Sequence, residues 1–182
     1  MTQLPDYLLS FLEARLEEAF ENLDVIVGGD VMLPPMHAYD WSRAQYRSEL
    51  ILEWLSKLRE ALNVDYVLGL GYLDAYSNGL NFVFGEAYPP GRVAAVYLKR
   101  LDPSFYGEEF DVNLFQERVL KEVLHELGHV FGLGHCSNKR CVMSFSNSIV
   151  DVDYKTWRFC TRCAELLRIN GLYVTPHYVL HE

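Results

Sequence analysis

The run HELGHVFGLGH at residues 125–135 constrains this chain more than any other segment. His125 and His129 are four residues apart, so on an α-helix they lie about 40° apart around the axis and about 6 Å apart along it. Both imidazoles can therefore reach one metal ion. Glu126 is turned about 100° from His125, which places its carboxylate beside the ion's open coordination position. The segment predicts a helix that carries a metal clamp and an adjacent carboxylate.

His135 predicts how that helix ends. On a continued helix it would lie about 9 Å beyond His129 and about 120° away, out of reach of the same ion. Gly132 can adopt the left-handed backbone conformation that a chain reversal needs. We expect the chain to turn there and to bring His135 back as a third ligand. Three neutral imidazoles leave a fourth zinc position for water, which is the arrangement of a catalytic site.

The alternative interpretation is that these are ordinary helix histidines beside a solvated carboxylate. The stretch from residue 123 to residue 131 is otherwise apolar or glycine. A His-Glu-His cluster in such a setting must be paired or metal-bound to offset its desolvation. The flanking residues therefore favour the metal site.

The same run resembles a known family. Residues 125–135 fit HExxHxxGxxH, the signature of the metzincin zinc peptidases, and CVMS at 141–144 resembles the methionine turn that metzincins place below the metal. Four cysteines follow the third histidine, as in the archaemetzincins, the branch that carries a four-cysteine site on the metzincin core. The likeness covers most of the chain from about residue 65 onward, whereas the first 40 residues match only loosely. The chain also resembles the archaemetzincins at Cys136, Cys141, Cys160, Cys163, and residues 79–86 and 145–148.

The resemblance implies a fold and an activity. The fold would be a metzincin-like α/β zincin: a mixed, mostly parallel sheet with helices, an active-site helix, a methionine turn at Met143 and a C-terminal helix. We expect one catalytic domain over residues 1–182, with an upper sheet subdomain over about 1–132 and a lower one over about 133–182. The activity would be zinc-dependent hydrolysis of peptide bonds. The catalytic zinc would be bound by His125, His129 and His135, and Glu126 would act as the general base that deprotonates the attacking water.

The four cysteines, spaced C-x4-C and then C-x2-C, admit three interpretations: two disulfides, a structural zinc site or free thiols. We expect the protein to be cytoplasmic, and disulfides are rare in that reducing compartment. We favour four thiolates around a second zinc, because a closed tetrahedral site has no room for substrate and is structural. Cys136 follows His135, and Cys141 precedes Met143 by two residues. The second zinc would therefore brace the floor of the active site against the helix that carries Cys160 and Cys163.

Composition and charge indicate which classes of partner and which cell compartment to expect. Half of the 182 residues are apolar and 23% are charged, which is the balance of one folded domain. The apolar run at 66–73 is far below the ~18 residues of a membrane span, and Asp6, Glu13 and Glu17 stand where a signal peptide would be basic and then apolar. A net charge of −9 argues against a nucleic-acid partner. We expect a cytoplasmic monomer that acts on peptides or proteins and binds no membrane.

Three rival functions remain open. Arg158, Arg162 and Arg168 near a zinc module would suit nucleic-acid binding, although this leaves the three histidines unexplained. A three-histidine endoribonuclease has similar ligand spacing but lacks a glutamate directly after the first histidine, so Glu126 argues against it. A zinc protein with a shielded cleft and little turnover would keep the same residues.

The rest of the chain predicts a scaffold and possible accessory groups. Ser42 and Gln45 resemble a capping box, and Asn113 and Gln116 can cap the active-site helix. The segment at 81–86 is the candidate edge strand for holding a peptide by main-chain hydrogen bonds. Candidates for stabilising the oxyanion are Tyr154, His177, Tyr178 and His181.

Apolar periodicity predicts helices over residues 7–21 and 43–62, and strands over 25–27 (ended by Gly28 and Gly29), 66–73, 81–87 and 92–101.

Overall fold

The computed structural model describes residues 4–28 and 31–181. Helices and short strands alternate along the chain, and the mixed α/β class predicted from the sequence is confirmed. The regular elements are α1 (Asp6–Ala19), β1 (Tyr39–Asp40), β2 (Gln45–Arg47), α2 (Ser48–Leu62), β3 (Val67–Gly71), β4 (Ala75–Tyr76), β5 (Gly85–Tyr88), β6 (Val93–Tyr97), α3 (Val112–Val130), α4 (Ile149–Tyr154), β7 (Phe159–Cys160), α5 (Thr161–Ile169) and β8 (Val179–Leu180).

The strands form three small sheets in place of the one mixed sheet that was expected. Their orders are β1-β2-β4, β3-β6-β5 and β7-β8. Strand β6 is the centre of its sheet, parallel to β3 and antiparallel to the edge strand β5. All five residues of β6 are buried, as expected of a strand that is covered on both faces.

Helix α3 is the central element of the core. Of its 19 residues, 13 are buried, because α1 and β6 pack on it and the C-terminal segment closes the remaining side. A helix that is buried nearly all round is held by packing rather than by its own propensity. A second, smaller core lies between α2 and the opposite face of the β6 sheet, around Ile51, Leu55 and Tyr97.

Two predicted caps are wrong. Ser42 lies in a turn, where its hydroxyl donates to Asp40 Oδ1 at 2.6 Å, and α2 begins only at Ser48. Gln45 is buried in β2 and donates to the carbonyl of Asn81 at 3.1 Å, so strand pairing and burial override the local capping pattern. The active-site helix is capped by Asp111, whose carboxylate accepts the N–H groups of the helix's second and third residues.

The predicted strands are partly confirmed. The strands over 66–73 and 92–101 form as the shorter β3 and β6, and the strand over 81–87 begins only at Gly85. The strand over 25–27 is wrong: that segment crosses the surface, with Ile26 84% exposed, and it has no strand partner among the described residues. Gly29, expected to end it, lies outside the described residues.

Across residues 4–28 and 31–181, no helix has both the length and the apolar character that crossing a bilayer requires.

Candidate active site and metal centres

The end of α3 brings three histidines together. The helix supplies His125 and His129 and ends at Val130, after which Gly132 adopts a φ of +86°. The N–H of Leu133 donates back to the carbonyl of Gly128 at 2.9 Å and closes the turn. This reversal brings His135 next to the helix, so that one ring nitrogen from each imidazole lies within 4.8 Å of the others. These three residues are called the histidine cluster below.

The ring orientation fits a metal ion. Nδ1 of His125 donates to the carbonyl of Val142 at 2.8 Å, and Nδ1 of His129 donates to that of Leu133 at 2.7 Å. Because a carbonyl can only accept, both protons reside on Nδ1 and both Nε2 atoms present lone pairs. Those two Nε2 atoms are 3.1 Å apart. Ligands of one tetrahedral zinc at ~2.0 Å would be about 3.3 Å apart, so the pair fits a single ion.

The protein environment keeps the imidazoles neutral, which is the form that binds metal. Burial lowers the pKa of His125 well below its ordinary value, and burial also lowers the pKa of His129. The pKa of His135 is lowered by burial and by repulsion from His129.

Glu126, the residue after His125, lines a cleft of about 310 Å³. It is 4% exposed, and its burial raises the pKa of the carboxyl well above the ordinary range, with repulsion from Glu122 as the next cause. A β-carbon on Gly85 would lie 2.6 Å from Glu126 Cγ, so the glycine in β5 allows the carboxylate to pack beneath that strand. The cleft is lined by residues 79–85, Glu122, Glu126 and residues 145–147.

Met143 packs against the helix between His125 and His129. Its side chain is fully buried, and its sulfur packs against Gly128 so closely that a β-carbon on this glycine would overlap it. The carbonyl of Met143 accepts the N–H of Cys136 at 2.8 Å. Met143 thus links the active-site helix to the segment that follows the third histidine.

The four cysteines form a second cluster, called the cysteine cluster below. Their sulfurs all lie within 4.8 Å of one another, and all four residues are free. The Sγ atoms of Cys136 and Cys160 are 3.8 Å apart, which matches two ligands of one tetrahedral zinc at ~2.3 Å. Hydrogen bonding from Cys163 lowers the pKa of Cys141, and the same hydrogen bond raises the pKa of Cys163. The geometry fits a zinc site and contradicts the interpretation as two disulfides.

The structure does not bring the predicted oxyanion candidates to the cleft. Tyr154 is 58% exposed, with Arg140 over its ring, and Tyr178 is fully buried with its hydroxyl on Glu18 at 3.1 Å. His177 and His181 do not line the cleft either. Two buried residues near the cleft were not predicted: Glu122, which is signalled by its position one turn before Glu126, and Lys155, which has no signal in the sequence.

Comparison with known proteins identifies the family. The sequence profile of Peptidase family M54 matches residues 8–169. The chain belongs to peptidase family M54. The M54 match begins well before residue 65, so the N-terminal segment also belongs to the family's common structure. It follows that this M54 chain is a zinc metallopeptidase that hydrolyses peptide bonds, as predicted.

Relatives and solved structures agree with this family. The archaemetzincin of Methanocaldococcus jannaschii is 45% identical over 170 residues, which are 93% of this chain and 90% of that protein. The archaemetzincin of Pyrococcus abyssi is 44% identical over 180 residues, 97% of this chain and 94% of that protein. The crystal structure of the Methanopyrus kandleri archaemetzincin is 41% identical with a TM-score of 0.76, covering 93% of this chain and 90% of that one. A zinc-dependent peptidase from Methanocorpusculum labreanum is 31% identical with a TM-score of 0.78, covering 89% and 92%.

The contact between Gly128 and Met143 gives a testable prediction. Gly128→Ala would place a methyl group against the Met143 sulfur, and we expect it to lower the free energy of unfolding by about 1–3 kcal/mol despite alanine's better helix propensity. Urea denaturation measures this. Gly134→Ala is the control, because nothing lies within 4 Å of a β-carbon there. A Gly128→Ala variant as stable as the parent would contradict the proposed packing.

Proposed function

We propose that the histidine cluster binds the catalytic zinc and that Glu126 is the general base for hydrolysis of peptides in the cleft. The observation that carries this proposal is the convergence of two bare Nε2 atoms, 3.1 Å apart, beside a buried carboxylate that lines the cleft. A zinc ion held there supplies Lewis acidity toward a carbonyl oxygen and a water molecule. Glu126 accepts a proton from the attacking water and returns it to the leaving amide nitrogen.

We further propose that the substrate is held along strand β5. This strand is the edge of its sheet, and the N–H of Tyr97 donates to the carbonyl of Phe84 at 2.8 Å. Because hydrogen-bonded pairs alternate in an antiparallel ladder, the main-chain groups of Gly85 and Ala87 point away from β6. An extended peptide can add to this edge as a further strand. The regular edge lies at Gly85–Tyr88 and overlaps only in part the segment 81–86 predicted from the sequence.

The cysteine cluster is proposed as a second, structural zinc site. It joins Cys136, directly after His135, to Cys160 and Cys163 at the start of α5. The main chain adds to this brace, since the N–H of Cys160 donates to Cys141 Sγ at 3.2 Å. A closed four-thiolate site would fix the turn that carries the third histidine.

We also propose that the protein works in a reducing compartment such as the cytoplasm and without a nucleic-acid partner. Four free cysteines in one cluster suit such a compartment. Two of the arginines considered for nucleic-acid binding are engaged within the protein: Arg158 donates to the carbonyl of His177, and Arg168 pairs with Glu165. The net charge of −9 also disfavours phosphate backbones.

Replacement of the proposed base tests the function. We expect Glu126→Gln to bind zinc like the parent but to lower kcat by about 10²–10⁴-fold, because the amide cannot accept the proton. The assay uses a peptide found to be cleaved in a library digest of the parent. Glu117→Gln is the matched control, on the same helix but half-exposed and outside the cleft. Undiminished cleavage by Glu126→Gln would rule out the proposed role.

Metal analysis tests the two sites separately. The parent should contain two zinc ions per chain, His129→Ala should retain one, and Cys160→Ser should also retain one, since each change removes a ligand from one cluster only. Loss of the structural zinc should also lower the melting temperature of Cys160→Ser. A single zinc ion in the parent would refute the assignment of two sites.

A further inference from the structure

The cleft is underlain by an ion pair that the hydrolytic mechanism does not use. Lys155, directly after α4, is 1% exposed, and its Nζ lies 2.8 Å from Glu122 Oε1. The same Nζ lies 3.5 Å from the carbonyl of Ser144. Lys155 therefore ties α3 to the residue that follows Met143.

The Lys155–Glu122 pair lies between two parts of the cleft wall, helix α3 and the segment 145–147. Glu122 precedes Glu126 by one helical turn, so both carboxylates lie on the same face of α3, and both line the cleft. On the other side, Ser144 precedes the lining segment 145–147, whose Phe145 packs its ring 5.0 Å from that of His135. A displacement between α3 and Ser144 would change the cleft on both sides of Glu126.

Stability alone does not account for a buried ion pair here. Desolvation of two charges offsets most of their attraction, so an apolar pair of the same shape would serve the fold as well. The neighbouring α3–α4 contact already has a stronger tie, since the guanidinium of Arg118 donates to both oxygens of Asp153 at 2.7 and 2.8 Å. What Lys155 adds is an ion pair with Glu122, one of the residues that line the cleft.

We propose that Lys155 is a positioning residue, which holds Glu122 against Ser144 and thereby fixes the Glu126 carboxylate relative to the cleft wall at 145–147. This inference rests on the proposed function, in which Glu126 is the general base. Released from Lys155, the Glu122 carboxylate would be unpaired one turn from Glu126 and free to turn into the cleft. The pair thus acts on the chemical step through Glu126.

The test separates positioning from stability with a double variant. Lys155→Met leaves Glu122 unpaired and should lower both the melting temperature and kcat, the latter about 10–100-fold, with KM changed less than about threefold. Lys155→Met combined with Glu122→Gln removes the unpaired charge, so the melting temperature should return toward that of the parent while kcat stays at least about tenfold reduced. Lys155→Arg keeps a cationic donor and should retain more of the parent's kcat than Lys155→Met.

Lys121→Met is the matched control. Lys121 is also buried and ion-paired, to Glu117 at 2.8 Å, but Glu117 does not line the cleft as Glu122 does, so this change should lower the melting temperature and leave kcat unchanged. If Lys155→Met does not fold, the kcat values of the double variant and of Lys155→Arg still test whether Lys155 positions Glu126. Recovery of full kcat in the double variant would overturn the proposal.

Crystal structures of the parent and the double variant give a readout that does not depend on turnover. The proposal expects the Glu126 carboxylate to shift by about 0.5 Å or more relative to segment 145–147. Unchanged positions would overturn it. If the parent cleaves no peptide in the library digest, the proposed function fails, and this structural comparison still decides whether Lys155 positions Glu126.

Discussion

Nε2 of His125 and Nε2 of His129 lie 3.1 Å apart because each ring is fixed from behind by a hydrogen bond from its Nδ1 to a main-chain carbonyl. Two lone pairs at this distance repel each other unless a cation lies between them. One of those carbonyls belongs to Val142, next to Met143, and the other to Leu133, inside the turn that returns His135. The geometry of the cluster therefore depends on the segment 133–143 as much as on α3.

That segment is in turn held by its surroundings. Met143 packs on Gly128, its carbonyl accepts the N–H of Cys136, and the N–H of Val142 donates to the carbonyl of Arg158 at 2.8 Å. The cysteine cluster joins both ends of the segment to the start of α5. The two clusters share this segment, because Cys136 directly follows His135 and Cys141 directly precedes Val142, whose carbonyl accepts from His125.

Helix α3 lies in the core and also carries charged side chains. Burying these charges costs desolvation free energy. Buried charged groups on α3, such as Arg118 and Glu122, require partners, and Asp153 and Lys155 supply them from α4 and the residue after it. Of these two pairs, Lys155–Glu122 also involves a residue that lines the cleft, since Glu122 is part of its lining.

The sequence was most informative where local geometry determines the outcome. Helical spacing brings His125 and His129 to one face, and the reversal at Gly132 follows from the need to return His135, so the histidine cluster could be predicted. The Ser42 and Gln45 pattern failed because a buried strand pairing outweighs a cap worth about 1 kcal/mol. Lys155 could not be predicted, since its partners Glu122 and Ser144 are set by tertiary packing. The edge strand was placed too early for a similar reason: side chains of Arg43 and Gln45 bind the carbonyl of Asn81 before regular pairing begins.

Anomalous diffraction at the zinc absorption edge, on crystals of the purified protein, shows whether each cluster holds one zinc ion on either side of segment 133–143. We expect two anomalous peaks per chain, one among the imidazoles of His125, His129 and His135 and one among the four cysteine sulfurs. A single peak, or a disulfide in place of the second, would contradict this expectation.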